Sequence, residues 1–399
     1  MPVRVKNMPV DLRSLPDRAA RPALPSIKRW GTFFVSIFLL LNIVNHLLYS
    51  NSDSKPTLYL FFLTLAVWGC FYAIRYFIYL LGKWRADGWD NEREKDKRNR
   101  IALGQRKITL LSQSLVLPHV IHCSDLSTQI LEAKKTHLLP SEYNGRSIYS
   151  AHFFDIHAPL LNRIINRLNQ LLNTSTLSAH IHQLSEQREL TVILSLGQNI
   201  QLSETDKQHL HEQFVTHLVR PFKIHYQQNV DSLFIDSWLD NLRQYDTVLL
   251  INLYLFDTPI NHQSEVALAQ LFSSSLETHD TFTAYLHRPE VITDINENSF
   301  NEKLEAAILW AKTSSTKIKH LWLTAPREKE RSYVINNVPL LTHYSHFKLV
   351  DINQVIGHTG HSTLWLNIFI SATHCDKHRE SQLVIDEQDS SYTTLIALS

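Results

Sequence analysis

Thr247 to Leu255 reads T-V-L-L-I-N-L-Y-L, a run with no regular alternation of polar and apolar residues. Strands patterned this way lie in the middle of a sheet whose two faces are both covered by helices. The run therefore predicts an α/β domain.

The flanking sequence extends that pattern in both directions. Upstream, Leu190 to Leu196 (LTVILSL) reads as another buried strand. A helix opens at Ser203 with Asp206 three residues on, and carries Leu210, Phe214 and Leu218 along one face. Ala158 to Leu172 (APLLNRIINRLNQLL) repeats apolar residues at helical spacing, and Ile108 to Val120 (ITLLSQSLVLPHV) reads as a buried strand or short helix broken by Pro118. Between the Ser203 helix and the Thr247 strand, Ser232 to Ile235 is followed by a loop-like Asp236 to Asp240 (DSWLD). Downstream come a helix over Ser264 to Ser273 (SEVALAQLFS), a strand at Thr281 to Leu286, a helix at Glu302 to Ala311, and strands at Ile318 to Thr324 and near Phe347 to Ile352. Gln382 to Ile385 and Tyr392 to Leu398 flank a polar turn and predict a closing antiparallel hairpin.

Before that hairpin stands V-I-G-H-T-G-H-S-T-L-W-L-N-I-F-I-S, Val355 to Ser371. Gly357 and Gly360 permit left-handed backbone, the hydroxyls are expected to cap a helix, and Leu364 to Ala372 reads as a helix buried between layers. A strand, then Gly357-His358-Thr359-Gly360, then a buried apolar helix and a final hairpin resembles the C-terminal part of thiolase-fold condensing enzymes, the β-ketoacyl synthases. The small-residue stretch Ser264 to Phe272 is loosely similar to helices of that fold. The resemblance covers roughly the last 150 residues.

It implies a thiolase-like fold, a homodimer, and chemistry that needs a thiolate at a helix N-terminus with two histidines. His358 matches one histidine position. No cysteine lies between Cys123 and Cys375, and the strand Ile318 to Thr324 leads into Ala325-Pro326-Arg327-Glu328 where the family has His-Gly-Thr. Cys123, in H-C-S-D-L, lies early for the family's order. The expectation is a degenerate, non-catalytic binding or assembly domain. The alternative is an acyl-transferring enzyme using His358 with a nucleophile such as Cys123.

A third reading is a sensor of a small anion. His287-Arg288-Pro289 ends a strand at what would be the ligand-bearing edge of an α/β sheet. Arg288, His287, Gly357, Thr359 and Gly360 are the candidate ligand-binding residues. Asp236, Asp240 and Glu265 are carboxylates for acid or base work or for capping. There is no P-loop, GxGxxG, GxSxG or HExxH, and no cofactor is expected.

The chain has 399 residues and a formal net charge of +1, which removes the electrostatic case for nucleic acid as partner. Its three cysteines, Cys70, Cys123 and Cys375, form no CxxC pair and fit a reducing compartment. The close pairs His180/His182 and His209/His211 would share a face of a strand. With no Cys, Asp or Glu completing a set, they read as polar surface, and no metal is expected.

Two apolar runs precede the domain. Gly31 to Tyr49 contains no Asp, Glu, Lys or Arg, and Leu58 to Leu81 contains only Arg75, close enough to its end to snorkel. The connection, Ser50 to Thr57, holds one acid and one base, whereas Lys and Arg crowd both outer flanks. Two spans with both termini cytoplasmic follow, in a bacterial inner membrane. The expected organisation is a basic, extended or disordered leader at 1–29, a transmembrane hairpin at 30–82, a charged helical stalk at 83–107 and the α/β domain at 108–399. This layout, with its W-D-x-E-R-E stalk at Trp89 to Glu94, resembles membrane proteins encoded with type VI secretion systems. That resemblance implies secretion-machine components as protein partners beside the lipid bilayer.

Overall fold

The computed structural model describes residues 10, 12, 14–48, 55–119, 126–132, 136–143, 145–184, 188–197, 200–274, 284–292, 297–314, 317–324, 348–388 and 392–399. The chain divides into two compact units, Met1–Ala102 and Leu103–Ser399.

The first unit is built on helix α1 (Ile27–Leu48) and on α2 (Lys55–Gly104), whose last residues enter the second unit. Both helices are long and apolar enough to cross a membrane. Their apolar windows are 0% and 6% buried, so the described residues leave them largely uncovered. The two helices meet through aromatic edges: Phe38 and Phe61 lie 5.3 Å apart, Phe34 and Trp68 5.6 Å, and the Trp68 indole donates to the Trp30 carbonyl at 2.8 Å. The charged stalk continues α2 without a break. Residues 16–26 have no regular structure and lie along it: Arg93 donates to the Pro16 carbonyl at 2.7 Å, and the Ala19 amide donates to Asp90 at 3.1 Å.

Among the described residues, the second unit holds thirteen strands in two sheets and seven of its own helices, beside single turns. In chain order they are β1 (Lys107–Val116), α3 (Leu126–Glu132), β2 (Leu139–Tyr143), β3 (Arg146–Ser150), α4 (Leu160–Leu172), α5 (Ser175–Gln183), β4 (Leu190–Ser195), α6 (Glu204–Leu218), β5 (Phe222–Gln227), α7 (Ser232–Asp240), β6 (Thr247–Tyr254), β7 (Val266–Ser273), β8 (Ala284–His287), β9 (Glu290–Ile292), α8 (Glu297–Trp310), β10 (Ile318–Thr324), β11 (Lys348–Asp351), α9 (Thr363–His378), β12 (Ser381–Gln388) and β13 (Tyr392–Leu398). A single helical turn, Asn353–Ile356, and a 3-10 turn, Gly360–Ser362, precede α9.

The large sheet runs β11-β10-β12-β13-β8-β1-β7-β6-β4-β5, with β9 pairing β13 off this path. Numbering the five main strands of each half in chain order gives the same order twice, 3-2-4-5-1. In both halves strands 2, 3 and 4 are parallel and strand 5 is antiparallel to its neighbours. The unit is therefore a structural duplication, joined where β1 pairs with β8.

Three cores give five layers. Helices α4, α5 and α6 cover one face of the first half through Ile164, Leu168, Leu177, Leu210 and Phe214. Helix α8 covers the outer face of the second half through Leu304 and Ala307. Between the halves lie α3, α7 and α9, with Trp238, Trp365 and Ile368 in the central core. Leu210, Phe214 and Leu218 of α6 are each 1% exposed or less, and burial of such side chains contributes about 1.5–3 kcal/mol apiece. Its predicted start is a full capping box between Ser203 and Asp206.

Four local expectations are corrected. Ser264 to Ser273 is not a helix: Val266–Ser273 is the strand β7, between β1 and β6, buried on both faces by helices. Asp236 to Asp240 is not a loop but the second half of helix α7. His180 and His182 sit on helix α5 rather than on a strand, and His209 and His211 on α6. The hydroxyls of the glycine turn do not cap α9, since Ser362 at its N-cap makes no side-chain cap bond.

Candidate functional site

The glycine turn is where the two halves of the duplication meet. In each half, strand 3 leads into a central-layer helix: β5 into α7, and β11 through the turn into α9. The two loops are tied by Trp365 of α9, whose indole donates to the Val230 carbonyl at 2.5 Å.

The backbone of the turn is held by the strap 262–264 through both the amide and the carbonyl of His358. His358 donates its amide to the His262 carbonyl at 2.9 Å and accepts at its own carbonyl from the Ser264 amide at 3.0 Å. The same strap, 262–264, pairs with the end of β3: His262 donates to the Tyr149 carbonyl at 2.7 Å, and Ala151 donates to the Gln263 carbonyl at 3.1 Å. Directly after the strap, the Glu265 carboxylate accepts the Phe153 and Phe256 amides at 2.8 and 2.9 Å and pairs with the buried Arg163 of α4.

Within the turn, both glycines are required. Gly357 has φ +91°, and a Cβ there would fall 2.7 Å from Leu138 and 3.1 Å from the His262 carbonyl oxygen. Gly360 has φ +54° and packs against the Tyr254 ring. His358 Nδ1 accepts the Gly360 amide at 3.2 Å, which fixes the neutral ring with its proton on Nε2, and burial holds its pKa below the usual histidine value. Thr363 donates back to the Gly360 carbonyl at 2.6 Å, and Thr359 to the Thr363 hydroxyl at 3.4 Å.

His361, Tyr254 and Asn252 are additions that the sequence did not single out. The 3-10 turn packs on β6 near the carboxyl ends of the parallel strands β4 and β6. The His361 ring lies against Gly197 and meets the Tyr254 ring edge-on at 5.8 Å, and burial pushes its pKa down to about 4. Asn252, paired in register with Ser195, is fully buried. Its two side-chain polar atoms, His361 Nε2 and Ser362 Oγ have no hydrogen-bond partner among the described residues. Buried groups of this kind hold water or a small polar ligand.

The remaining candidates lie elsewhere. Arg288, 1% exposed, gives one guanidinium nitrogen to Asp236 and the other to Asp240 at 2.7 Å, so two carboxylates of α7 fill the fork that an external anion would need. Burial raises the Asp236 pKa while Arg288 opposes that shift. His287 bonds the Ser399 hydroxyl at 2.7 Å, and its pKa is pushed down to about 4, first by burial and then by Lys107 and Lys312. Cys123 and the segment Ala325 to Glu328 lie outside the described residues. Cys70 is exposed on α2. Cys375 is buried near the far end of α9, and burial, helped by Asp376, pushes its thiol up to about 11, away from the thiolate. The N-terminus of α7 is capped by Asp231, whose carboxylate accepts the Leu233 amide at 3.0 Å.

No protein-family model matches the chain, and no curated protein matches it. Solved structures match it at the level of fold. The ketosynthase from module 1 of the bacillaene synthase of Bacillus amyloliquefaciens FZB42 aligns with a TM-score of 0.56 at 9% identity, over 74% of this chain and 73% of that one. The PfaC keto synthase-chain length factor aligns at 0.54 and 10% identity over 74% of this chain. The chain spans only 43% of that protein's length. The ishigamide ketosynthase/chain length factor aligns at 0.51 and 11%, over 73% and 99% of the two chains. The fold is thiolase-like, and the similarity extends well upstream of the C-terminal part in which the sequence resemblance was carried.

Proposed function

We propose that the chain is a membrane-anchored, non-catalytic binding or assembly protein built on a degenerate thiolase-like domain. The observation that carries this reading is how the glycine turn is used. The backbone of His358 is bonded on both sides, its Nδ1 is taken by the Gly360 amide, and Tyr254 fills the space beside Gly360. Asp231 puts a carboxylate at the N-terminus of the helix whose loop touches α9, a position that favours negative charge. The condensing alternative needs His358 beside a thiolate, with Cys123 as its nucleophile. The anion-sensor alternative needs a free guanidinium, and Arg288 is doubly paired within the chain.

The apolar helices α1 and α2 are read as a hairpin through a bacterial inner membrane. The leader bonds along the stalk through Arg93 and Asp90, as two flanks on the same side of a bilayer would. Their Lys and Arg excess assigns that side to the cytoplasm. The resemblance in leader, hairpin and stalk to membrane proteins encoded with type VI secretion systems points to secretion-machine components as partners. A homodimer completes the proposal.

The test is affinity purification of the full-length protein and of His358→Ala from gently solubilised membranes, with identification of co-purifying proteins. Secretion components recovered with both forms support the assembly reading. Acyl carrier protein or acyl thioesters recovered with the parent and lost in the variant overturn it.

A further inference from the structure

Helix α9 runs from the glycine turn to a second polar cluster at its other end, about 24 Å away at 1.5 Å per residue. His374 and His378 lie one helical turn apart on the same face, with ring centroids 4.3 Å apart. His320 of β10 meets His374 edge-on at 4.7 Å. Arg379 then takes a left-handed backbone (φ +54°) at the helix C-cap, and Glu380 follows it. One ligand atom each from His320, His374 and Glu380 lie within 4.8 Å of one another.

The hydrogen bonding around these groups is incomplete in a particular way. His374 is 3% exposed, yet among the described residues neither of its ring nitrogens has a hydrogen-bond partner, and His320 Nδ1 is likewise buried without one there. A neutral imidazole offers one lone-pair nitrogen, so one nitrogen of His374 and one of His320 can take a shared electrophile. Lys319 holds one oxygen of Glu380, which orients the carboxylate as outer-shell partners of metal ligands do. Trp322 walls the cluster at 5.5 Å from the His374 ring and is itself anchored by its indole to Gln382 at 2.9 Å. The C-terminus of α9 points its partial negative charge toward the cluster, which favours a cation there.

We propose that His320, His374 and Glu380, with His378 as fourth ligand, form a zinc site that fastens α9 to β10. Two or three imidazoles with a carboxylate are a borderline donor set that suits tetrahedral Zn²⁺. Tetrahedral ligand atoms stand roughly 3.3 Å apart at zinc bond lengths, so a modest closure of the side chains forms the site. It is independent of the assembly reading above.

The experiment uses untagged full-length protein in detergent, stripped with a chelator and titrated with Zn²⁺ alone. Metal content, thermal stability, and the visible absorption of a Co²⁺-substituted sample are read. The expected result is one Zn²⁺ per chain, a rise in unfolding temperature on loading, and a tetrahedral Co²⁺ spectrum. His320→Gln and Glu380→Gln, both at partly exposed positions, are expected to weaken binding by at least about tenfold and to lose the stability rise, while His209→Gln on α6 changes neither. His378→Gln is expected to retain binding more weakly, with an altered Co²⁺ spectrum. Absence of Zn²⁺ binding by the folded parent protein, or binding left unchanged in both His320→Gln and Glu380→Gln, overturns the proposal.

Discussion

The ring of Tyr254 stands where a side chain on Gly360 would have to go: a Cβ on that glycine falls 2.2 Å from the ring's Cε2. The contact locks the turn onto β6, and the tyrosine hydroxyl is itself bonded to Gln263 in the strap that seats His358. Gly360→Ala, strained further by φ +54°, is expected to cost about 1–3 kcal/mol. In the double variant with Tyr254→Ala the two losses are expected to sum to less than their separate values, as read by thermal or denaturant unfolding. Additive losses would show that the two residues do not share this contact.

Arg288 is paired with Asp236 and Asp240, and the proposed reading gives it a structural role. Removing it leaves Asp236 and Asp240 facing a gap, so Arg288→Ala is expected to cost about 3–5 kcal/mol. Unfolding curves of the parent protein are expected to be unchanged by added phosphate or sulfate at constant ionic strength. A specific stabilisation lost in the variant would restore the sensor reading.

Acid is expected to loosen the α/β domain from about pH 6.5 downward. His287 and His361 have folded pKa values of about 4, against about 6.5 in the unfolded chain, both chiefly through burial. Between those values the unfolded chain binds protons that the folded chain does not, so stability falls as pH falls. Each residue contributes up to about 1.4 kcal/mol per pH unit in that window. His361→Gln or His287→Gln is expected to flatten the dependence of unfolding temperature on pH between 6.5 and 4. An unchanged slope in both variants would assign the effect to other groups.

What the sequence conveyed follows from how burial shapes residue patterns. Thr247 to Leu255 and the α4 helix were readable because one lacks alternation and the other repeats at three and four. The same double burial hid β7: Val266, Leu268 and Phe272 enter the central core and Ala267, Ala269 and Leu271 the other, leaving no period to separate a strand from a helix. Strand β5 (FKIHYQ) went unread because it lies at the sheet edge with half-exposed, mixed side chains. The duplication has no sequence repeat to announce it, and appears only in strand order. At the site, His358 and its glycines were found through a local motif that also contains His361, whereas Tyr254 and Asn252 join them only through β6. The histidine pairs close in sequence drew attention, but His320 and His374 meet across more than fifty residues.

The proposed membrane hairpin predicts a side for each segment. In intact cells, Ser52→Cys in the short connection is expected to react with a membrane-impermeant maleimide, whereas a cysteine replacing Asn91 in the stalk reacts only after permeabilisation. Labelling of the stalk position from outside would reverse the orientation.

The central claim, that the glycine turn is a packing joint and not a catalytic centre, is tested most directly by intact-mass measurement after incubating the full-length protein with octanoyl-CoA. The account predicts no acyl adduct on either the parent protein or His358→Ala. A stoichiometric octanoyl adduct on Cys123, formed by the parent and absent in His358→Ala, would contradict it and make the chain a condensing-type enzyme.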